Sequence, residues 1–447
     1  MWRSDMQALA RLESIVNRAC EELPKVRVSG IVTEVTPTHY RASGLSRFLK
    51  LGECVAFGGD EHPQLGEVVR LDEHGTTIKT YEPTLEIGLG GQAHRVGPLR
   101  IAPHPSWKGR VIDALGRPID NLGPMPRGEH LISVEASPPS AMERTRVKKP
   151  LKSGVRVIDL FTPICAGQRI GIFAGSGVGK STLLAMLASS KGFDTVVIAL
   201  VGERGREVRE FLDDALGDNR KVAVTVVSTG DESPMMRRLA PKTAMTIAEF
   251  YRDRGDSVLL IIDSVTRFAH AARDVALAAG EPPVARGYTP SVFSDLPKLL
   301  ERAGPGKEGA GSITGIFSVL IDGDDHNDPV ADCIRGTLDG HIVLDRAIAD
   351  QARFPAVNIL GSISRLAQNA WSREQQNLIM RLRAMIAQFE DTRDLRLMGG
   401  YQAGRDPDLD QAVALVPKIY EALMQSPSSK PSEDAFRELA EALQGKG

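Results

Sequence analysis

The run Ile170-Gly-Ile-Phe-Ala-Gly-Ser-Gly-Val-Gly-Lys-Ser-Thr182 constrains this chain more than any other feature. An apolar strand enters a glycine-rich loop, and the loop ends in Gly-Lys-Ser where a helix begins, predicted over Leu183 to Ala188. A turn of this kind points successive backbone N–H groups at one spot, which side chains would obstruct. The helix N-terminus adds partial positive charge. This is the phosphate-binding P-loop in its proper setting, with strand before and helix after. It predicts a cradle made by Gly175, Ser176, Gly177, Val178, Gly179, Lys180, Ser181 and Thr182. Lys180 is expected to reach the β- and γ-phosphates, and the Ser181 hydroxyl to bind Mg²⁺. Ala174 stands where the pattern has its first Gly. That position ends the strand, so a methyl group there is a mild change.

A chain of 447 residues has room for two or three domains, and 42% hydrophobic residues supply a large core. The net charge of −2 argues against polyanion binding along the whole chain. Cys20, Cys54, Cys165 and Cys333 are scattered and form no CxxC pair. They read as reduced thiols with no zinc site. No signal peptide and no apolar run of membrane-spanning length is found, so the expected location is the cytoplasm.

Four regions differ in texture. Residues 1–24 carry one amphipathic helix over 4–23, with Met6, Leu9, Leu12, Ile15, Val16 and Ala19 at helical spacing and Pro24 as its stop. Residues 25–100 read as short strands punctuated by glycines, which suggests a small β-barrel. Residues 101–365 form an α/β core in which, from about 150, apolar strands alternate with helices around a parallel sheet. Residues 366–447 turn helical. Leu378, Leu382, Met385, Ile386 and Phe389 mark one face, a second helix runs from Leu409 to Met424, and a last one covers 432–443.

A P-loop alone leaves the kind of nucleotide chemistry open. Val258-Leu-Leu-Ile-Ile-Asp263-Ser264 is a buried strand ending in a carboxylate, the Walker B element that orders the metal's water shell. A strand over Thr195 to Val201 ends in Gly202 and sets Glu203 at the sheet's carboxyl edge. Doubly wound sheets place their chemistry there. A carboxylate at that edge can polarise an attacking water.

Gly202-Glu203-Arg204 after a P-loop resembles the catalytic subunits of the rotary ATPases. So do Asp263-Ser-Val-Thr-Arg267-Phe, Gly287-Tyr-Thr-Pro-Ser291, the run from Phe354 to Arg365, and the run from Gly109 to Asp120. Within that superfamily the chain resembles the export ATPases of the flagellar and injectisome type III systems. Phe173 to Ser181, Val201 to Val208, Leu338 to Leu344 and Gly399 to Pro407 carry this narrower likeness. The acidic Asp-Glu-Leu-Ser-Glu-Glu-Asp stretch of the synthase β-subunit is absent, as is the long insertion of vacuolar catalytic subunits.

The resemblance implies a RecA-like P-loop core between an N-terminal β-barrel and a C-terminal helical domain. It implies ATP and Mg²⁺ as cofactors, with Ser181 and Asp263 at the metal. Glu203 would activate water, and Arg204 and Arg267 would organise the γ-phosphate side. Arg365 matches an arginine finger that acts on a neighbour's nucleotide. Phe354 and Tyr401 match rings that flank adenine, although either ring serves a core equally well. One chain then carries both a catalytic Glu and a finger Arg, so a closed homohexameric ring is the simplest assembly. The family further implies a stator-like regulatory export protein on the N-terminal helix and a coiled-coil stalk in the central opening. Export substrates, chaperones and the membrane export gate complete the expected partners. A ring helicase of the transcription-termination type shares the core, yet residues 26–100 hold few aromatics and mixed charges, so no nucleic acid is expected. A nonenzymatic scaffold is countered by intact Lys180, Glu203, Asp263 and Arg365. Whether the system is flagellar or virulence-related stays open at this point, and the Gly304–Gly311 loop suggests no role.

Overall fold

The computed structural model describes residues 27–58, 63–82, 87–140, 142–321 and 328–444, together with Leu9, Leu12, Ile15 and Val16. The helix expected over residues 4–23 falls almost wholly outside them. The four described positions are helical, and each side chain is exposed by half or more. The chain divides into two compact units, one ending at Leu99 and one beginning at Arg100.

The first unit is a closed barrel of β1 (Ser29–Val35), β2 (Tyr40–Ser43), β3 (Glu53–Phe57), β4 (Gln64–Asp72), β5 (Gly75–Thr80) and β6 (Gln92–Pro98), in the order β1-β2-β5-β4-β3-β6. Closure needs strands that bend. Register shifts at Val32/Glu34 and Val68/Arg70 supply that curvature. Val32, Val55, Val68 and Ile78 fill the interior around an edge-to-face pair, Tyr40 and Phe57, whose centroids are 4.1 Å apart.

The second unit is built on a sheet of β7 (Val111–Asp113), β8 (Arg169–Ala174), β9 (Thr195–Val201), β10 (Ala223–Ser228), β11 (Ser257–Asp263), β12 (Ser312–Leu320), β13 (Gly340–Leu344) and β14 (Ile363–Ser364). Its order is β14-β13-β8-β12-β11-β9-β10-β7, parallel except for β14 against β13, with Gly304–Pro305 paired antiparallel to β12. The run Gly109–Asp120 thus supplies the edge strand β7. All seven residues of β9 are buried, as a central parallel strand requires. Each of its Val and Ile side chains contributes roughly 1.5–3 kcal/mol on burial.

The helices that matter to the site are α1 (Lys180–Ala188), α2 (Gly205–Glu210), α3 (Pro234–Asp253), α4 (Val265–Ala278) and the short α5 (Arg346–Ala349). The C-terminal part adds α6 (Arg373–Asp391), α7 (Pro407–Leu423) and α8 (Ala435–Leu443). A reciprocal Ser372–Gln375 capping box starts α6, while Asp406 and Asp434 cap α7 and α8. The buried stripe of α6 is Ile379, Leu382 and Ile386. Leu378, expected on that face, is instead exposed. Leu378 lies about 100° around the helix from Ile379, on the side that packing leaves open.

Candidate active site

Strand β8 delivers the glycine-rich loop to the carboxyl edge of the sheet. Ala174 and Gly175 are buried, whereas Ser176 and Gly177 are exposed. Val178 is buried in the main core, so only its backbone is available to a ligand. Gly179, at φ +95°, caps α1, and Ser181 and Thr182 are exposed on its first turn. The Lys180 ammonium donates to Asp263 Oδ1, and both side chains are nearly buried. Ser318 Oγ donates to the same oxygen at 2.8 Å. Strand register explains the convergence, because Ile262 pairs with Phe317 and so sets Asp263 beside Ser318.

A cleft of about 390 Å³ opens beside the loop, lined by Ser181, Leu200, Glu203, Glu207, Phe211 and Asp263 among others. Glu203 follows β9 directly. Burial, followed by its hydrogen bond with Glu207 and the negative charge of Asp263, pushes its carboxyl up to about 7. The bond to Glu203 holds the Glu207 carboxyl below the usual carboxylate range. Arg267 Nε approaches Glu203 Oε1 at 3.5 Å. That approach depends on Gly202, at φ +70°, because a Cβ there would meet Arg267 Cδ at 2.5 Å. Arg204 behaves differently. It precedes α2 with an 87% exposed side chain, 3.9 Å from Glu207, and is not part of the cleft lining.

Phe354 lies against the loop, since a methyl group on Gly179 would sit 3.6 Å from two of its ring carbons. Tyr401 is tied elsewhere, its hydroxyl donating to Asp410 at 2.7 Å. Arg365 also lies away from the loop. Its N–H donates to Asp339 O at 2.9 Å, and the N–H of Asp339 donates to Arg169 O at 2.9 Å. Arg365 is therefore level with the first residue of β8, whereas the phosphate loop leaves from the last. A six-residue strand separates the two levels by about 17 Å, at roughly 3.3 Å per residue.

Three residues of this site escaped the sequence reading. Glu207 sits one turn beyond Glu203, a spacing that could have revealed it. Ser318 comes from a distant strand and Arg346 from the segment after β13, where it donates to Ser176 O at 3.0 Å. Neither carries a local signal. The donor set suits a magnesium nucleotide. Mg²⁺ commonly takes one or two protein oxygens and completes its shell with phosphates and water. Ser181 and Asp263 line one cleft and offer those oxygens.

The profile of the ATP synthase alpha/beta family, nucleotide-binding domain, matches residues 154–364, and that of the T3SS EscN ATPase C-terminal domain matches residues 371–441. A flagellum-specific ATP synthase of Rhizobium meliloti (strain 1021) is 57% identical over 98% of this chain and 93% of the relative. Among solved structures, the assembled ATPase EscN of the enteropathogenic E. coli type III secretion system superposes with a TM-score of 0.86 at 40% identity, covering 93% of this chain and 100% of EscN. EscN in complex with its central stalk EscO gives 0.84 at 38% identity, again over 93% and 100%. High identity along nearly the full length places this chain in the flagellum-specific ATP synthase family, as an ATPase of type III protein export.

Proposed function

We propose that the chain hydrolyses ATP to ADP and phosphate, with Mg²⁺, at the interfaces of a closed homohexameric ring, and that this turnover drives flagellar protein export. The observation that carries the ring is the separation of Arg365 from the phosphate loop of its own chain. With its backbone at the amino edge of the sheet, Arg365 is better placed to serve a nucleotide held by a neighbour than the one on its own loop. Lys180 would exchange its bond to Asp263 for the β- and γ-phosphates, and Ser181 with Asp263 would hold the metal, which neutralises phosphate charge. Glu203 would accept a proton from the attacking water. Arg267 orients Glu203, and Phe354 offers a face to adenine. Arg204 and Tyr401 take their places only if the neighbouring chain or the nucleotide draws them in.

The assembled EscN and its complex with a central stalk support an oligomer and a stalk partner, here taken as a ring with a coiled coil in its opening. The exposed Leu9, Leu12, Ile15 and Val16 support the N-terminal helix as a docking element for a stator-like regulator. Export substrates and their chaperones are the cargo, released and unfolded at a membrane export gate that the cytoplasmic ring meets peripherally. Among the described residues no helix is long and apolar enough to cross a membrane. The proposed division is 1–24, 25–100, 101–365 and 366–447. The flagellar system is favoured over an injectisome by the higher identity to the flagellar relative.

Deletion of the gene in its host tests the reading. Loss of secreted flagellar subunits, restored by the wild-type chain and not by Lys180→Ala, is expected. Normal flagellar secretion in the deletion strain would overturn it.

A further inference from the structure

The segment from Asp345 to Asn358 grips the phosphate loop at two places. It leaves β13 and folds back on itself. The N–H of Asp345 donates to Ala356 O at 2.9 Å, and Leu344 bridges Val357. The Asp345 carboxylate accepts from the N–H of Ala347 at 2.8 Å and from Asn358 Nδ2 at 3.1 Å. Arg346 therefore projects from a pinned turn, and its Nη2 reaches the Ser176 carbonyl. Phe354, from the same fold-back, rests on Gly179.

The Ser176 carbonyl shares its peptide plane with the N–H of Gly177. In a trans peptide the two point in opposite directions. A cation that holds the oxygen away from the cradle turns the N–H toward it. Packing does not fix this plane by itself. Gly177 has φ +77°, and no atom lies within 4 Å of where its Cβ would be. An unrestrained glycine peptide of this kind flips readily, and a flipped one would aim a carbonyl at phosphate.

We propose that Arg346 is a positioning residue for the phosphate cradle, holding the Ser176 carbonyl outward so that the Gly177 N–H faces the phosphates. This rests on the phosphate loop binding ATP as read above. It also makes one segment responsible for both ends of the nucleotide, through Arg346 for the phosphates and Phe354 for the base.

The test compares wild type with Arg346→Ala, Arg346→Met, Arg346→Lys and Lys180→Ala. The readouts are KM for ATP, kcat, and inhibition by inorganic tripolyphosphate, which has phosphates and no base. A lost charge-assisted bond should raise KM and the tripolyphosphate inhibition constant together by about tenfold, with kcat within about twofold. Arg346→Met keeps the stem and should show the same loss. Arg346→Lys, which still donates to a carbonyl, should recover most of it. Unchanged tripolyphosphate inhibition in a folded Arg346→Met chain overturns the proposal, as does a fall in kcat at constant KM. Lys180→Ala, read by calorimetric titration with tripolyphosphate alongside wild type because it has no turnover to inhibit, separates the two readings. If it still binds tripolyphosphate, the loop is not the phosphate site and the proposal falls with it. If it does not, failure of the Arg346 variants counts against the positioning role alone.

Discussion

The N–H of Arg365 bonds the carbonyl of Asp339, which fixes Arg365 at the amino end of the sheet while Lys180 sits at the carboxyl end. Arg365→Ala should therefore leave nucleotide binding by isolated subunits intact and remove hydrolysis by the ring. Chains carrying Arg365→Ala mixed with chains carrying Glu203→Gln should regain activity, because some interfaces then pair an intact Glu with an intact Arg. No recovery in a verified mixed ring would count against a finger acting in trans.

Glu203→Gln should retain ATP binding and lose turnover by about 10²-fold or more, the usual scale of general-base loss. A loss within about threefold would make Glu203 structural.

Because burial lifts the Glu203 carboxyl to about 7, the base is protonated below that pH. Wild-type kcat/KM should rise as pH climbs from 6 to 8. Stability runs the other way. An acid raised on folding binds its proton more tightly in the native state, so its contribution is lost as pH rises from the unfolded value toward 7. Glu203→Gln should melt above wild type at pH 8, and the two should converge near pH 5. Thermal melts at both values check the sign.

Lys180→Ala should abolish turnover, because it removes the ammonium expected to pair with the β- and γ-phosphates. Wild-type turnover in that variant would sink the phosphate-loop assignment.

Removing residues 1–23 should weaken capture by the regulatory export protein while ATPase activity at high protein concentration persists. Undiminished capture would refute a docking role for the four exposed apolar side chains.

Stability away from the site can be probed at Arg302 and Glu249. They form a buried two-pronged pair, at 3.0 and 2.7 Å, and Arg302 also donates to Thr246 Oγ1 and Val134 O. Glu249→Ala strands a buried charge and should cost about 3–5 kcal/mol in denaturant unfolding.

Local order was legible where a single stretch carries its own instructions. Strand β9 matches the expected Thr195 to Val201, and the phosphate loop lies between strand and helix as its glycines require. What was not legible depends on chain distant in sequence. Ser318 reaches Asp263 only because β12 lies between β8 and β11 in the sheet. Arg346 finds Ser176 across a fold-back that no periodicity marks. Of the stripe expected on α6 only Leu378 differs, since Leu378 and Ile379 are equally apolar and packing alone chooses between them.

In the N-terminal unit every strand has a neighbour on both sides. Among the described residues each strand is paired on both sides over part of its length, so little continuous main-chain edge is left for an incoming strand to zip onto. Recognition by the barrel then falls chiefly to outward side chains such as Ile31 and Val96, both more than half exposed. Recognition of that kind is open to change one residue at a time, while the backbone that presents it stays the same.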